Sequence, residues 1–132
     1  MFGQFDLVVY NGSLHYSSDI KGSLGHGFSM LRPGGTLAIM DSPTFRSKAS
    51  AERMVAEQAQ RFAQGGPLAE AIRPGQGYLL AGELLGAGHR LGIELRFTPS
   101  RGDLGWALRR QLAGLKLRRE PAGFGLWLGV KV

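Results

Sequence analysis

Two apolar runs near the start of the chain predict two strands of one sheet. The first runs from Phe5 to Tyr10 and the second from Thr36 to Met40, and neither alternates with polar residues. Short continuous runs of this kind are typical of parallel strands that are covered on both faces. The segment between them predicts a helix from about Asp19 to Leu31, with four apolar residues facing the sheet at helical spacing: Ile20, Leu24, Phe28 and Leu31. Together these elements predict a right-handed βαβ unit.

The remaining pattern predicts three further helices and two further strands. The helices are expected at about 48–63, 79–85 and 104–117, and the strands at 91–97 and 124–132. The strand at 91–97 alternates apolar and polar residues, which indicates one wetter face near a sheet edge. The segment 67–77 is rich in Gly and Pro and predicts a loop, either a lid over a site or a plain connection. The fold class is therefore α/β, with a mixed sheet of about four strands and about four helices.

Two of these helices carry more detailed expectations. Gly86 and Gly88 are expected to end the helix at 79–85, because glycine is favoured just past the C-terminus of a helix. The helix at 104–117 is expected to turn an apolar stripe towards the core, formed by Leu104, Leu108, Leu112 and Leu115.

Three segments of the first forty residues are similar to a known family. Residues 4–9 read Gln-Phe-Asp-Leu-Val-Val, residues 11–16 read Asn-Gly-Ser-Leu-His-Tyr, and residues 31–37 read Leu-Arg-Pro-Gly-Gly-Thr-Leu. Their order and spacing resemble the second half of a class I S-adenosylmethionine-dependent methyltransferase, in which the fourth strand carries F-D-L-V and L-R-P-G-G leads into the fifth. The resemblance covers nearly all 132 residues, but these correspond to only half of the family's domain.

The resemblance implies a Rossmann-like half-domain with the strand order 4-5-7-6 in family terms, the seventh strand being antiparallel. It also implies that two parts of the family's first half are absent here, the glycine-rich cofactor loop and the acidic residue that holds the cofactor ribose. We therefore expect this chain alone to bind S-adenosyl-L-methionine weakly or not at all. Its first strand would be an apolar sheet edge, so we expect pairing along Phe5 to Tyr10 with a second copy, as a homodimer, or with a separate partner.

The candidate site lies at the carboxyl ends of the first two strands, where open α/β sheets bind ligands. By resemblance, the methionine portion of the cofactor would meet four residues of the first turn: Asn11, Gly12, Ser13 and Leu14. His15 is the candidate catalytic residue, as a general base for an oxygen or nitrogen acceptor. Tyr16 and Asp41 are the candidates for binding the small-molecule substrate.

The same residues also admit purely structural explanations. Asn11 and Ser13 could satisfy hydrogen bonds of the turn and a helix cap, His15 and Tyr16 could simply pack, and Asp41 could begin a loop. The spacing of the histidines does not suggest a metal site, and we expect no bound metal.

Composition bounds the class of protein. A chain of 132 residues suffices for one domain, expected over 1–132, and 43% hydrophobic with 20% charged residues are ordinary globular values. No apolar run reaches the roughly 18 residues that span a membrane, and the N-terminus lacks the character of a signal peptide. The absence of cysteine excludes disulfides and thiolate chemistry. We expect a soluble, cytoplasmic protein with no membrane partner.

Positive charge is concentrated in the last third of the chain. Residues 89–132 carry nine basic and three acidic side chains, which accounts for the whole net charge of +6. Such a segment can bind phosphate-rich partners. It lacks interleaved aromatics for base stacking, so a solvated helix face is favoured and a nucleic-acid partner is not expected.

The sequence thus favours an S-adenosylmethionine-dependent methyltransferase, present here as a fragment, an isolated domain or a shortened gene product. Its full-length parent would transfer a methyl group to a small-molecule acceptor, and this chain alone would be inactive or weakly cofactor-binding. Two alternatives stay open. One is a non-catalytic interaction module that docks a partner through its exposed strand edge, and the other is a basic nucleic-acid-associated protein that uses residues 89–132.

Overall fold

A computed structural model describes residues 3–64, 76–99, 108–109, 111–112, 115 and 121–132. A 3₁₀ turn, Leu14–Tyr16, follows the first strand. The other elements are, in chain order, β1 (Phe5–Asn11), α1 (Ile20–Met30), β2 (Leu31–Met40), β3 (Thr44–Phe45), α2 (Lys48–Gln64), β4 (Leu79–Leu80), α3 (Ala81–Leu91), β5 (Arg96–Pro99) and β6 (Gly125–Val130).

The main sheet has four strands in the order β1-β2-β6-β5. β1 and β2 are parallel, with Tyr10 beside Ile39, and β6 runs antiparallel to both β2 and β5. The last strand of the sequence is therefore inserted between β2 and β5, which confirms the expected strand order and leaves β1 at the sheet edge. A second, two-stranded parallel pair formed by β3 and β4 was not predicted.

The two faces of β1 differ in their surroundings. Val8 and Tyr10 pack against the main core. Phe5, Leu7 and Val9 point to the other face and are exposed, Leu7 to 54%. The prediction that this strand is covered on both faces is therefore wrong for the part of the chain described here. An apolar run indicates that a strand favours burial on both faces, but it does not show which element covers the second face.

The main core lies between the sheet and the helices α1 and α3. The predicted inward face of α1 is confirmed for Leu24, which is buried, and for Ile20 and Phe28, which pack against the core. The helix ends at Met30, so Leu31, which the sequence places in the helix, begins β2 and is buried there. The N-terminus of the helix is fixed by the Asp19 carboxylate, which accepts a hydrogen bond of 3.0 Å from the amide of Gly22. The core consists of Leu14, Leu24, Leu31, Leu37, Ile39, Leu79, Leu84, Ala87, Ile93, Leu95 and Trp127.

Trp127 of β6 is the largest side chain of this core. Only 3% of it is exposed, and its ring lies 4.9 Å from that of Phe97 on β5, centroid to centroid. Its Nε1 is the one buried side-chain nitrogen without a hydrogen-bond partner among the described residues. Among the described residues, the indole is therefore held by packing and not by a hydrogen bond.

The end of α3 differs from the prediction. The helix continues past Gly86 and Gly88 to Leu91 and ends at Gly92, whose φ of 80° is left-handed. A Cβ at position 88 would lie 2.9 Å from the carbonyl oxygen of Ile93, so the close return of the chain after the helix requires glycine there. Because the helix extends to Leu91, the predicted strand at 91–97 begins only at Arg96.

The helix predicted at 104–117 lies partly outside the described residues. Its described positions, 108, 109, 111, 112 and 115, are helical. The expectation that its leucines face the core is wrong for Leu108, Leu112 and Leu115, which are 60%, 62% and 77% exposed. Helical spacing places these side chains on one stripe, but it does not determine what the stripe faces. Leu104 lies outside the described residues, as does most of the predicted loop at 67–77.

Among the described residues, no helix combines the length and the apolar character needed to cross a membrane.

Candidate functional site

Two loops leave the sheet side by side at its carboxyl edge. β1 ends at Asn11, which pairs with Met40 at the end of β2. The amide of Gly12 donates a 2.8 Å hydrogen bond to the carbonyl oxygen of Met40, and its φ of 61° is left-handed. Since a left-handed turn suits glycine, Gly12 lets the first loop turn across the end of the second strand. The loops that follow β1 and β2 therefore form one surface.

A buried polar pair joins the two loops. His15 lies in the 3₁₀ turn after β1 and is 7% exposed, and Ser42 follows β2 and is 4% exposed. The Nδ1 of His15 and the Oγ of Ser42 are 2.8 Å apart. Burial lowers the pKa of His15, because desolvation disfavours the charged imidazolium. The ring of Tyr16 lies 4.1 Å from that of His15 and packs against it.

The segment before α3 supports both loops. The amide of Gly77 donates a hydrogen bond of 2.8 Å to the carbonyl oxygen of His15. The amide of Leu79 donates another, also 2.8 Å, to the carbonyl oxygen of Pro43. Because each bond holds one loop, the residues from Gly77 to Leu79 fix the backbone on either side of the pair of His15 and Ser42.

The structure separates the predicted site residues into an exposed and a buried set. Asn11, Ser13, Tyr16 and Asp41 are exposed at the carboxyl edge of the sheet. Leu14 is only 1% exposed and belongs to the main core. Its side chain anchors the turn and leaves only the backbone of Leu14 to meet a ligand.

Asp41 adopts a backbone conformation that is unusual for a residue other than glycine. Its φ is 54°, in the left-handed region that aspartate tolerates better than most residues. Asp41 thereby turns the chain at once after β2. This turn brings Ser42 back to the loop that carries His15.

Ser42 was not singled out as a site residue from the sequence. The available signal was weak: a small hydroxyl residue two positions after a strand, beside a histidine on the loop of the neighbouring strand. The contact spans 27 positions in the sequence. It follows from the parallel register of β1 and β2, which a single sequence does not specify residue by residue.

A cavity of about 430 Å³ lies apart from these loops. Its lining residues are Leu85, His89, Gly92, Ile93, Glu94 and Leu95. None of them belongs to the pair of His15 and Ser42 or to the exposed set.

The described residues contain no cluster of three or more side chains suited to a metal ion. Most of the basic residues in 89–132 that were considered for nucleic-acid binding lie outside the described residues.

Comparison with known proteins relates this architecture to solved structures. Neither a family model nor a curated protein matches the sequence. A proposed sarcosine dimethylglycine methyltransferase from Galdieria sulphuraria matches 98% of this chain over 54% of its own, with a TM-score of 0.62 and 12% identity. An O-methyltransferase family protein from Burkholderia thailandensis matches 98% of this chain over 31% of its own, with a TM-score of 0.55 and 18% identity. The [4+2]-cyclase SpnF matches 98% of this chain over 50% of its own, with a TM-score of 0.54 and 15% identity.

These similarities show a class I methyltransferase fold of the Rossmann-like type. The chain spans between a third and about half of the length of the solved structures named here. Identities below 20% carry the fold and not the reaction, and the presence of a cyclase among the similar structures illustrates that one fold supports different chemistry.

Proposed function

We propose that this chain forms the acceptor side of an S-adenosylmethionine-dependent methyl-transfer site for a small molecule. The observation that carries the proposal is the joined pair of loops at the carboxyl edge of β1 and β2. Open α/β sheets bind ligands at that edge. Here it presents an exposed polar set, Asn11, Ser13, Tyr16 and Asp41, backed by the buried pair of His15 and Ser42.

The exposed set fits the methionine end of the cofactor. Its amino and carboxylate groups need hydrogen-bonding partners, and the Asn11 amide and the Ser13 hydroxyl are both exposed for this purpose. Gly12 adds a turn without a side chain, so a ligand can approach the backbone. The side chain of Leu14 packs in the core, so we propose that its backbone, and not its side chain, meets the ligand. When bound, S-adenosylmethionine supplies an electrophilic methyl group on a sulfonium.

The residues of this chain would contribute positioning more than covalent chemistry. Methyl transfer between two bound molecules is accelerated mainly by holding the reacting atoms in line, so a protein nucleophile is not required. Tyr16 and Asp41 flank the place where an acceptor would lie, and His15 is the titratable group that could exchange a hydrogen bond or a proton with it. The segment from Gly77 to Leu79 holds both loops in register.

Amide chemical shifts test this proposal at the low affinity expected of the isolated chain. We expect S-adenosylmethionine at millimolar concentration to shift the amides of residues 11–16 and 41–42, and methionine to shift the same amides. Adenosine alone should shift none of them. Asn11→Ala should weaken these responses, whereas Ser18→Ala, an exposed change beyond the turn, should leave them intact.

One result would count against the proposal, and another against the low affinity expected of the chain. If the amide chemical shifts of both loops do not change during the titration, the cofactor does not bind at this edge. Micromolar binding by the isolated chain in calorimetry would instead overturn the expectation that cofactor affinity depends on groups outside this sequence.

A second candidate function is strand pairing through the edge of β1, which the exposed side chains of Phe5, Leu7 and Val9 favour. An exposed apolar edge strand is a template for another strand. Pairing with a second copy, antiparallel about Val8, would place Leu7 opposite Val9 of the second copy, on the same exposed face. In this register Asp6 meets Tyr10, so no like charges oppose one another. Either a second copy or a separate partner could therefore pair there.

Sedimentation velocity at micromolar concentration tests self-pairing. We expect the unaltered chain to sediment as a dimer and Leu7→Lys to sediment as a monomer, since a charge on the edge blocks pairing. Leu85→Lys, at another exposed leucine, is the matched control and should remain a dimer. A monomeric unaltered chain would contradict self-pairing, and a dimer that survives Leu7→Lys would place the contact elsewhere.

A further inference from the structure

The buried hydrogen bond between His15 and Ser42 can have either residue as its donor. The two atoms, Nδ1 and Oγ, are 2.8 Å apart, and either could donate the proton. A neutral imidazole carries one proton, on Nδ1 or on Nε2, and a serine hydroxyl carries one proton and two acceptor positions. The direction of this one hydrogen bond therefore decides which of the two nitrogens of His15 carries the proton.

The number of protons on the two groups favours Ser42 as the donor. Ser42 is buried, and within the described residues Nδ1 of His15 is the hydrogen-bond partner of its hydroxyl. If Nδ1 donated instead, the hydroxyl proton of Ser42 would be buried without an acceptor and would incur the desolvation penalty of an unmade hydrogen bond. With Ser42 as the donor, the remaining proton lies on Nε2 of His15. Among the described residues, the one buried side-chain nitrogen without a hydrogen-bond partner is Nε1 of Trp127. The Nε2 of His15 is therefore not left both buried and unpaired.

We infer that Ser42 is a positioning residue that donates to Nδ1 of His15 and holds the imidazole as the Nε2–H tautomer. Desolvation keeps the ring neutral by lowering its pKa. His15 then presents a hydrogen-bond donor at the carboxyl edge and not a lone pair. Such a donor suits an oxygen with high electron density, such as a carbonyl, carboxylate or phenolate oxygen of a small molecule. The role as general base expected from the sequence requires the opposite tautomer.

The assignment of this donor to a methyl acceptor rests on the proposed function, whereas the tautomer itself does not. Long-range ¹H–¹⁵N correlation spectra of the imidazole, recorded above its titration on the unaltered 132-residue chain, read the tautomer directly. We expect a pyrrole-type nitrogen at Nε2 and a pyridine-type nitrogen at Nδ1. Since a free imidazole itself favours the Nε2–H form, the preference at His15 should exceed that of the exposed His26 by roughly fivefold. The opposite assignment, or a preference no greater than that of His26, would overturn the inference.

Two variants separate a positioning role from a merely structural one. Ser42→Ala should reduce the preference to that of the exposed His26 while the amide spectrum stays dispersed, and Ser42→Thr, which retains a hydroxyl, should restore it. A preference in Ser42→Ala that stays above that of His26 would overturn the role of Ser42. If Ser42→Ala does not fold, the spectrum of the unaltered chain and the rescue by Ser42→Thr still decide the matter.

The outcome is distinguishable from that of the proposed function. An Nε2–H tautomer in a chain whose loops do not respond to S-adenosylmethionine would uphold the inference and remove the cofactor. A loop response with the opposite tautomer would uphold the cofactor site and return His15 to the role of a base.

Discussion

Truncation of Leu14 gives the clearest test of how the candidate site is built. Its side chain is 1% exposed and belongs to the main core, whereas the sequence suggests a contact with the cofactor. Leu14→Ala removes an isopropyl group from that core. At about 0.8 kcal/mol per buried CH₂, the loss of burial alone amounts to roughly 2 to 3 kcal/mol. The cavity left behind brings the expected loss of unfolding free energy to about 2–5 kcal/mol.

Urea denaturation followed by circular dichroism measures this loss. The matched control is Leu85→Ala on α3, where the leucine is 49% exposed and the change should stay within about 0.5 kcal/mol. If Leu14→Ala is as stable as the control, Leu14 does not anchor the turn. Loss of cofactor-induced shifts in such a stable variant would return Leu14 to the role of a ligand contact.

Two further predictions concern the glycines of α3 and the pH dependence of stability. Gly88→Ala should lower the unfolding free energy by about 1–3 kcal/mol, because the new Cβ would lie 2.9 Å from the carbonyl oxygen of Ile93. Gly86→Ala, with nothing within 4 Å, should raise it by about 0.4–1 kcal/mol, and equal effects would refute the close approach. Since the folded-state pKa of His15 is lowered, the unfolded chain binds its proton first, and stability should fall as pH drops through about 6.5. Urea midpoints at pH 7.5 and 5.5 should differ less in His15→Gln, and an unchanged difference would contradict the shift.

The first strand-helix-strand unit could be predicted from the sequence because its signals are local. The spacing of Ile20, Leu24 and Phe28 defines the inward face of α1 without reference to any distant residue. The end of α3 depends on contacts that are not local. Glycine at position 88 reads as a stop, yet it remains helical because the chain returns through Ile93 against the same turn.

The candidate site was predictable in place but not in detail. Its position follows from the rule for carboxyl ends of parallel strands, and His15 is found there. Two details depend on tertiary packing. The burial of Leu14 requires knowledge of what covers the turn, and the partnership of His15 with Ser42 requires the register between β1 and β2.

The indole nitrogen of Trp127 has no hydrogen-bond partner among the described residues, so the fluorescence of this side chain can report whether the sheet is intact. A buried indole without a hydrogen bond to its nitrogen fluoresces at short wavelength, and its emission moves to the red when water reaches the ring. Trp127 pairs with Ile39 of β2 and stacks on Phe97 of β5, so separation of β6 from either neighbour would change the signal. The chain has two tryptophans. Replacing Trp106 by phenylalanine would leave Trp127 as the single tryptophan, whose emission follows the loss of the sheet independently of helix content.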